Sequence, residues 1–145
     1  MKHTTNDELR LLAVNFSDDH REEIEGGLIR SGQWCVSYID SNVEAVSACR
    51  SGQYDVIFYK VDPFCAEGIS SVADIRSGMG PSANAPIITF SNFNPAGFHH
   101  LAAQAGSDIH VKLPMQADEV LNYIMDADEK RGRLAKFSPD RLSLT

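Results

Sequence analysis

The chain has 145 residues, 43% of them hydrophobic and 23% charged, with a formal net charge of −7. That length and balance fit one globular domain with a real core, not a disordered chain. No apolar run approaches the ~20 residues of a membrane span, residues 1–8 lack the apolar centre of a secretion signal, and the acid surplus argues against this segment gripping nucleic acid through its phosphates.

Three cysteines without CxxC spacing suit a reducing cytoplasm better than a disulfide framework. Along the chain, residues 9–15 form a short apolar stretch closed by a polar break, the pattern of a buried strand. Ser17 or Asp18 then caps a helix with Ile24 and Leu28 among its apolar positions and Gly32 past its end. Residues 35–39 make a second strand, with Trp34 before it as a packing residue. Asn42 is expected to cap the next helix, which places Val43, Val46 and Cys49 on one face and stops at Gly52. The third strand spans 56–61, and the helix over 68–78 carries Ile69, Val72 and Ile75 at the same spacing. Residues 86–90 are a fourth strand, 96–105 a helix ended by Gly106, and 109–112 a fifth strand. Pro114 forces a turn before an amphipathic helix from Gln116 that buries Val120, Leu121, Ile124 and Met125.

Near-continuous apolar strands alternating with amphipathic helices imply an α/β fold: a flavodoxin-like, doubly wound, five-stranded parallel sheet with helices on both faces. The domain is placed at 9–126, and 127–145 is read as a linker or C-terminal extension. Ligands of such sheets bind past the carboxyl ends of the strands. The positions there are Asn15, Phe16 and Ser17; Lys60 to Asp62; Ser91 and Asn92; and Leu113. No glycine-rich phosphate fingerprint follows any strand, so no nucleotide cofactor is expected.

The apolar run Tyr54-Asp55-Val56-Ile57-Phe58-Tyr59-Lys60 leads into Val61-Asp62-Pro63. With Leu11 to Asp18, Pro86 to Ser91 and Gly106 to Pro114 it resembles, over residues 11–126, a response-regulator receiver domain of the chemotaxis-regulator type. The resemblance implies that Asn15 and Phe16 stand where the family holds magnesium with two acids, and Lys60 where it carries the phosphoacceptor aspartate. Ser91 falls at the hydroxyl switch position, His110 at the switch aromatic and Leu113 at the essential lysine. An amide and a phenyl ring are poor magnesium ligands, an ammonium forms no acyl phosphate, and leucine stabilises no phosphoryl oxygen. The resemblance thus implies a pseudo-receiver without catalytic residues, bound metal or cofactor. Asp18, Asp19 and Asp62 are read as loop and helix-start acids, not substitutes. Lys60 is expected to fill the vacated pocket and pair with Asp62 or a backbone carbonyl; the sharper alternative is that it mimics the switched state.

His99 and His100, as helix neighbours, point about 100° apart and do not chelate one ion together. His110 is expected to be a partly buried structural histidine, with pH sensing as the sharper reading. Cys65, by the pocket mouth, is expected to be a small apolar filler.

Two functions follow. The first is a phosphorylation-independent module of bacterial signal transduction, acting in the cytoplasm through a protein partner or homodimer, with Phe98, His99, His110 and Lys112 on its interaction surface. It would serve a larger regulator, since Leu144-Thr145 resembles the entry to an output domain of the transcription-regulator or diguanylate cyclase type. The alternative is a receiver that binds a cyclic dinucleotide with Lys130, Arg131 and Arg133.

Overall fold

Each residue of the central strand must satisfy two helical layers in turn, because successive side chains point to opposite faces of a sheet. In β3 (Val56–Lys60), Val56 and Phe58 enter one layer, while Ile57 and Tyr59 enter the other. All four are fully buried, which is why the sequence reads as a continuous apolar run.

The structure is a computed structural model that describes residues 8–131 apart from Arg30 and Gly32. Gly32, expected to follow the first helix, thus lies outside the described residues, as does the extension beyond residue 131. The elements alternate as expected: β1 (Leu9–Val14), α1 (Asp18–Leu28), β2 (Trp34–Ile39), α2 (Asn42–Ser51), β3, α3 (Ala66–Ser77), β4 (Ile87–Ser91), α4 (Phe98–Ala105), β5 (Ile109–Lys112) and α5 (Val120–Lys130). A 3-10 turn, Ala117–Glu119, precedes α5. The strands are parallel in the order β2-β1-β3-β4-β5. The winding direction therefore reverses beside β1 and β3, the position where open α/β sheets form crevices.

Helices α1 and α5 cover one face, burying Ile24, Leu28, Val120, Leu121 and Ile124 against Leu11, Phe58 and Phe90. Helices α2, α3 and α4 cover the other through Val46, Cys49, Val72, Ile75 and Phe98. Trp34 begins β2 instead of preceding it, and packs half-buried against the first layer. The cap of α2 differs from expectation. Ser41, in extended backbone, caps it by accepting the Glu44 N–H. Asn42 is the first helical residue, which turns the helix so that Ala45 is buried and Val43 is 81% exposed. Helix α5 also continues past residue 126, with Ala127 fully buried.

At the opposite end of the sheet, Arg76 of α3 spreads its guanidinium over the carbonyls of Gly106, Ala83 and Ala85 and the carboxylate of Asp108. Asp108 also accepts the Ile87 N–H. One planar fork thus ties α3 to the entries of β4 and β5.

Helix α1 meets the start of α5 at Gly27. A β-carbon there would lie 2.4 Å from the Ala117 carbonyl oxygen and 2.5 Å from Val120 Cβ. At its neighbour Gly26 the nearest atom would be an ordinary contact, Ala117 Cβ at 3.6 Å. The two therefore respond oppositely. Gly27→Ala is expected to destabilise the protein by about 1–3 kcal/mol through overpacking. Gly26→Ala, on the exposed side of the helix, should stabilise it by about 0.5–1 kcal/mol. Urea denaturation of both variants checks the pair.

Candidate functional site, a donor-lined cleft over the sheet

β1, β3 and β4 end together, with Val14 level with Tyr59 and Lys60 level with Phe90. Past these ends lies a cleft of about 290 Å³, whose lining includes Asn15, Asn42, Lys60, Asp62, Asn92 and Phe93. Asn15 opens it through a left-handed backbone (φ 68°), a conformation asparagine tolerates better than most residues. This turn also breaks the strand's alternation. Leu12 and Val14 point into the α2/α3/α4 layer, but Phe16 is thrown into the opposite one.

The Asn15 side chain donates to Asn42 Oδ1 at 3.1 Å, and the buried Tyr59 hydroxyl donates to the same oxygen at 2.6 Å. Burial pushes the Tyr59 phenol's pKa up to about 12, so it stays a donor. These two bonds fix which way the Asn42 amide faces. Its carbonyl is spent inside the protein, so its N–H groups remain.

Lys60 closes β3 half-buried. Among the described residues its ammonium makes no ion pair and no hydrogen bond, contrary to the expected pairing with Asp62 or a carbonyl. Asp62 is exposed and accepts the Phe64 N–H at 2.9 Å instead, a local turn that holds its carboxylate at the rim. The charge of Lys60 is felt across the edge by His20 of α1, whose pKa is lowered first by burial and then by that ammonium. Cys65 is exposed at the start of α3 and lines the cleft, so it is not the apolar filler expected.

The five residues expected in one pocket divide three ways. Asn15 and Lys60 line the cleft. Phe16 and Leu113 are core residues of the α1/α5 layer, 4% and 5% exposed. Phe16 sets its ring edgewise against Phe90 at 5.4 Å and against His20 at 6.0 Å. Ser91 is fully buried beneath α4 and enters a separate polar chain. Its hydroxyl donates to the Phe93 carbonyl, so it accepts from His110 Nε2 at 2.8 Å. Nδ1 of a neutral His110 must then accept from Thr89 at 2.7 Å, and Thr89 lies 2.8 Å from Ser107. Thr89, Ser107, Asn42 and Tyr59 were missed in the sequence. The available signal was two hydroxyls, Thr89 and Ser91, on one face of an otherwise apolar strand.

The expected interaction surface also needs correction. Phe98 is only 5% exposed and stacks edgewise on the half-buried His110 at 5.1 Å, pinning α4 to β5. His99 and Lys112 are exposed. The His99 and His100 rings stack at 4.5 Å. Of the three residues assigned to a phosphate ligand, Lys130 is exposed and Arg133 lies outside the described residues. Arg131 is committed elsewhere: its guanidinium lies 3.6 Å from Asp108 and bonds Asn84.

Burial, and secondarily the charge of His99, lowers the pKa of His110 below its ordinary 6.5. A depressed histidine contributes stability that is present above 6.5 and lost as pH falls through the folded-state value. The urea midpoint should therefore fall between about pH 7 and 5, and less steeply in His110→Gln. His20, lowered in the same sense, keeps part of the slope in that variant.

No protein-family model matches the chain, and no curated protein matches it. Solved structures do. A CheY-like response regulator receiver domain protein from Methanospirillum hungatei JF-1 superposes with a TM-score of 0.71 at 14% identity, covering 87% of this chain and 98% of that one. The receiver domain of a sensor histidine kinase from Pseudomonas aeruginosa PAO1, with magnesium coordinated in its active-site cleft, gives 0.67 at 21% identity, covering 86% and 98%. The signal receiver domain of a modulated diguanylate cyclase from Desulfovibrio desulfuricans gives 0.66 at 19% identity, covering 87% and 98%. The architecture of this chain is that of the CheY-like receiver fold.

Proposed function

We propose that this chain is a phosphorylation-independent receiver module, regulatory and not catalytic, that acts by binding a protein partner or a second copy of itself. What carries the reading is the burial of Phe16 and Leu113. Where receivers place a metal-binding acid and an essential lysine, these side chains complete an apolar core. Asn15 and Lys60 supply an amide and a cation at the two remaining chemical positions, and neither suits a magnesium ion.

The binding surface we assign is formed by α4, β5 and α5. Leu101 of α4 is 55% exposed, with His99 beside it and Lys112 on the edge strand β5. Phe98 and His110 lie beneath this surface and hold its two elements together. Regulation of a larger protein, as in the diguanylate cyclase whose receiver domain superposes on this chain, is compatible with the same surface. The cyclic-dinucleotide reading loses support, because Arg131 is tied to Asp108.

Incubation with a small phosphodonor and magnesium is expected to yield no acid-stable, base-labile phosphoprotein; such an adduct would overturn the reading. Sedimentation should detect self-association that Leu101→Asp weakens about tenfold, a change of roughly 1.4 kcal/mol. A strict monomer at about 100 μM would remove the homodimer and leave a different protein as the partner.

A further inference from the structure

We propose that the cleft at the ends of β1, β3 and β4 is an anion site, built to hold a small organic oxyanion, a carboxylate or phosphate monoester carrying a flat apolar body. The assignment stands on the geometry of the cleft and does not depend on the protein-binding reading above.

The first observation is the inventory of unspent groups. Lys60 brings a cation that has no ion-pair or hydrogen-bond partner among the described residues. A half-buried ammonium is stabilised by an acceptor brought close to it. The Tyr59 hydroxyl and the Asn15 amide together use up the carbonyl of Asn42. The N–H groups of Asn42 and the second N–H of Asn15 are left over, and Asn92 adds an exposed amide on the β4 side. The Lys60 ammonium and the free N–H groups of Asn15, Asn42 and Asn92 outnumber the unspent carbonyls of Asn15 and Asn92, so donors dominate the wall and favour a ligand rich in acceptors.

The second observation is the direction of the helices. α2 and α3 both begin at this cleft, through Asn42 and Cys65. The twelve-residue α3 starts without a side-chain cap, so its first N–H groups add to the positive end of its dipole. Among the described residues the one carboxylate in the lining, Asp62, has an oxygen engaged by the Phe64 N–H and sits exposed on the rim.

The third observation concerns the body of the ligand. Val61, Pro63 and Phe93 supply an apolar side to the cleft. Phe93 is 58% exposed and packs at 5.7 Å against Phe64, itself 75% exposed. Two large aromatic rings left in solvent beside a polar cleft provide a surface on which a planar group can lie. The volume is near the lower end for ligand pockets, which restricts the occupant to about one ring and its anionic group.

The test is an NMR titration of the full chain with phenyl phosphate, benzoate, inorganic phosphate and benzylamine. At least one aromatic anion is expected to shift the amide signals of Asn15, Asn42 and Lys60, and to do so more tightly than inorganic phosphate. Whichever of phenyl phosphate and benzoate binds more strongly identifies the oxyanion. Lys60→Gln should weaken that anion at least tenfold. Phe93→Ala should weaken the aromatic anion while leaving inorganic phosphate unchanged. Neither side chain contributes to the buried core, so both variants remain interpretable as folded proteins. The proposal is overturned if no anion shifts these signals at about 10 mM, if benzylamine binds as well as the anions do, or if Lys60→Gln binds them unchanged.

Discussion

Coverage of both faces of β3 is the constraint on which the molecule depends. A parallel sheet bears helices on each side, so its central strand has no solvent face on which to place polar residues. Val56, Ile57, Phe58 and Tyr59 therefore alternate between two apolar layers. The first residue free of that demand is Lys60, at the strand's carboxyl end. Burying four large side chains at roughly 1.5–3 kcal/mol each fixes the strand's register. Residues beyond the last buried position then decide the chemistry of the edge.

The same partition explains why two different polar systems coexist a few residues apart. On the α4 side, Thr89, His110 and Ser91 form a chain in which both ring nitrogens have a partner, and the neighbouring Ser107 hydroxyl donates to the Ile109 carbonyl. Such a chain lowers the cost of burying polar groups and favours one arrangement of α4 against β5. At the cleft the pattern is opposite. Internal bonds consume the acceptors of Asn42 and leave the donors over. One system is complete in itself, whereas the other has capacity to spare.

The fold was legible in the sequence because strands buried on both faces leave an unbroken apolar signature, and Gly106 marks a helix end by physical necessity. Gly106 stands in the left-handed region at φ 119°, accessible without strain only to glycine. The cap of α2 was harder to place. Ser41 and Asn42 are both good capping residues, and the Tyr59 hydroxyl that draws Asn42 into another role comes from a distant strand. The candidate site was read less fully for a related reason. Strand ends identified Asn15, Phe16, Lys60, Ser91 and Leu113 as neighbours along the sheet edge. They could not reveal the left-handed turn at Asn15 that sends Phe16 into the core, or the burial of Ser91. Helix periodicity alone leaves Phe98 on the surface, because the His110 ring against which it packs comes from a separate strand.

That turn at Asn15 also separates the edge into positions that exchange freely and positions that do not. Lys60 faces the cleft, so a change there alters its charge without disturbing the packing, whereas Asn15 is held by its left-handed backbone and its bond to Asn42. Phe16 is held between Phe90 and His20, and Leu113 belongs to the same buried layer. An acid at position 16 would place a carboxylate among aromatic rings, and a lysine at 113 would leave a cation in the core unless the backbone moved as well. The edge therefore behaves like a ratchet. Single substitutions can retune which anion or neutral group the rim accepts, but a metal-binding centre could not be reassembled one residue at a time.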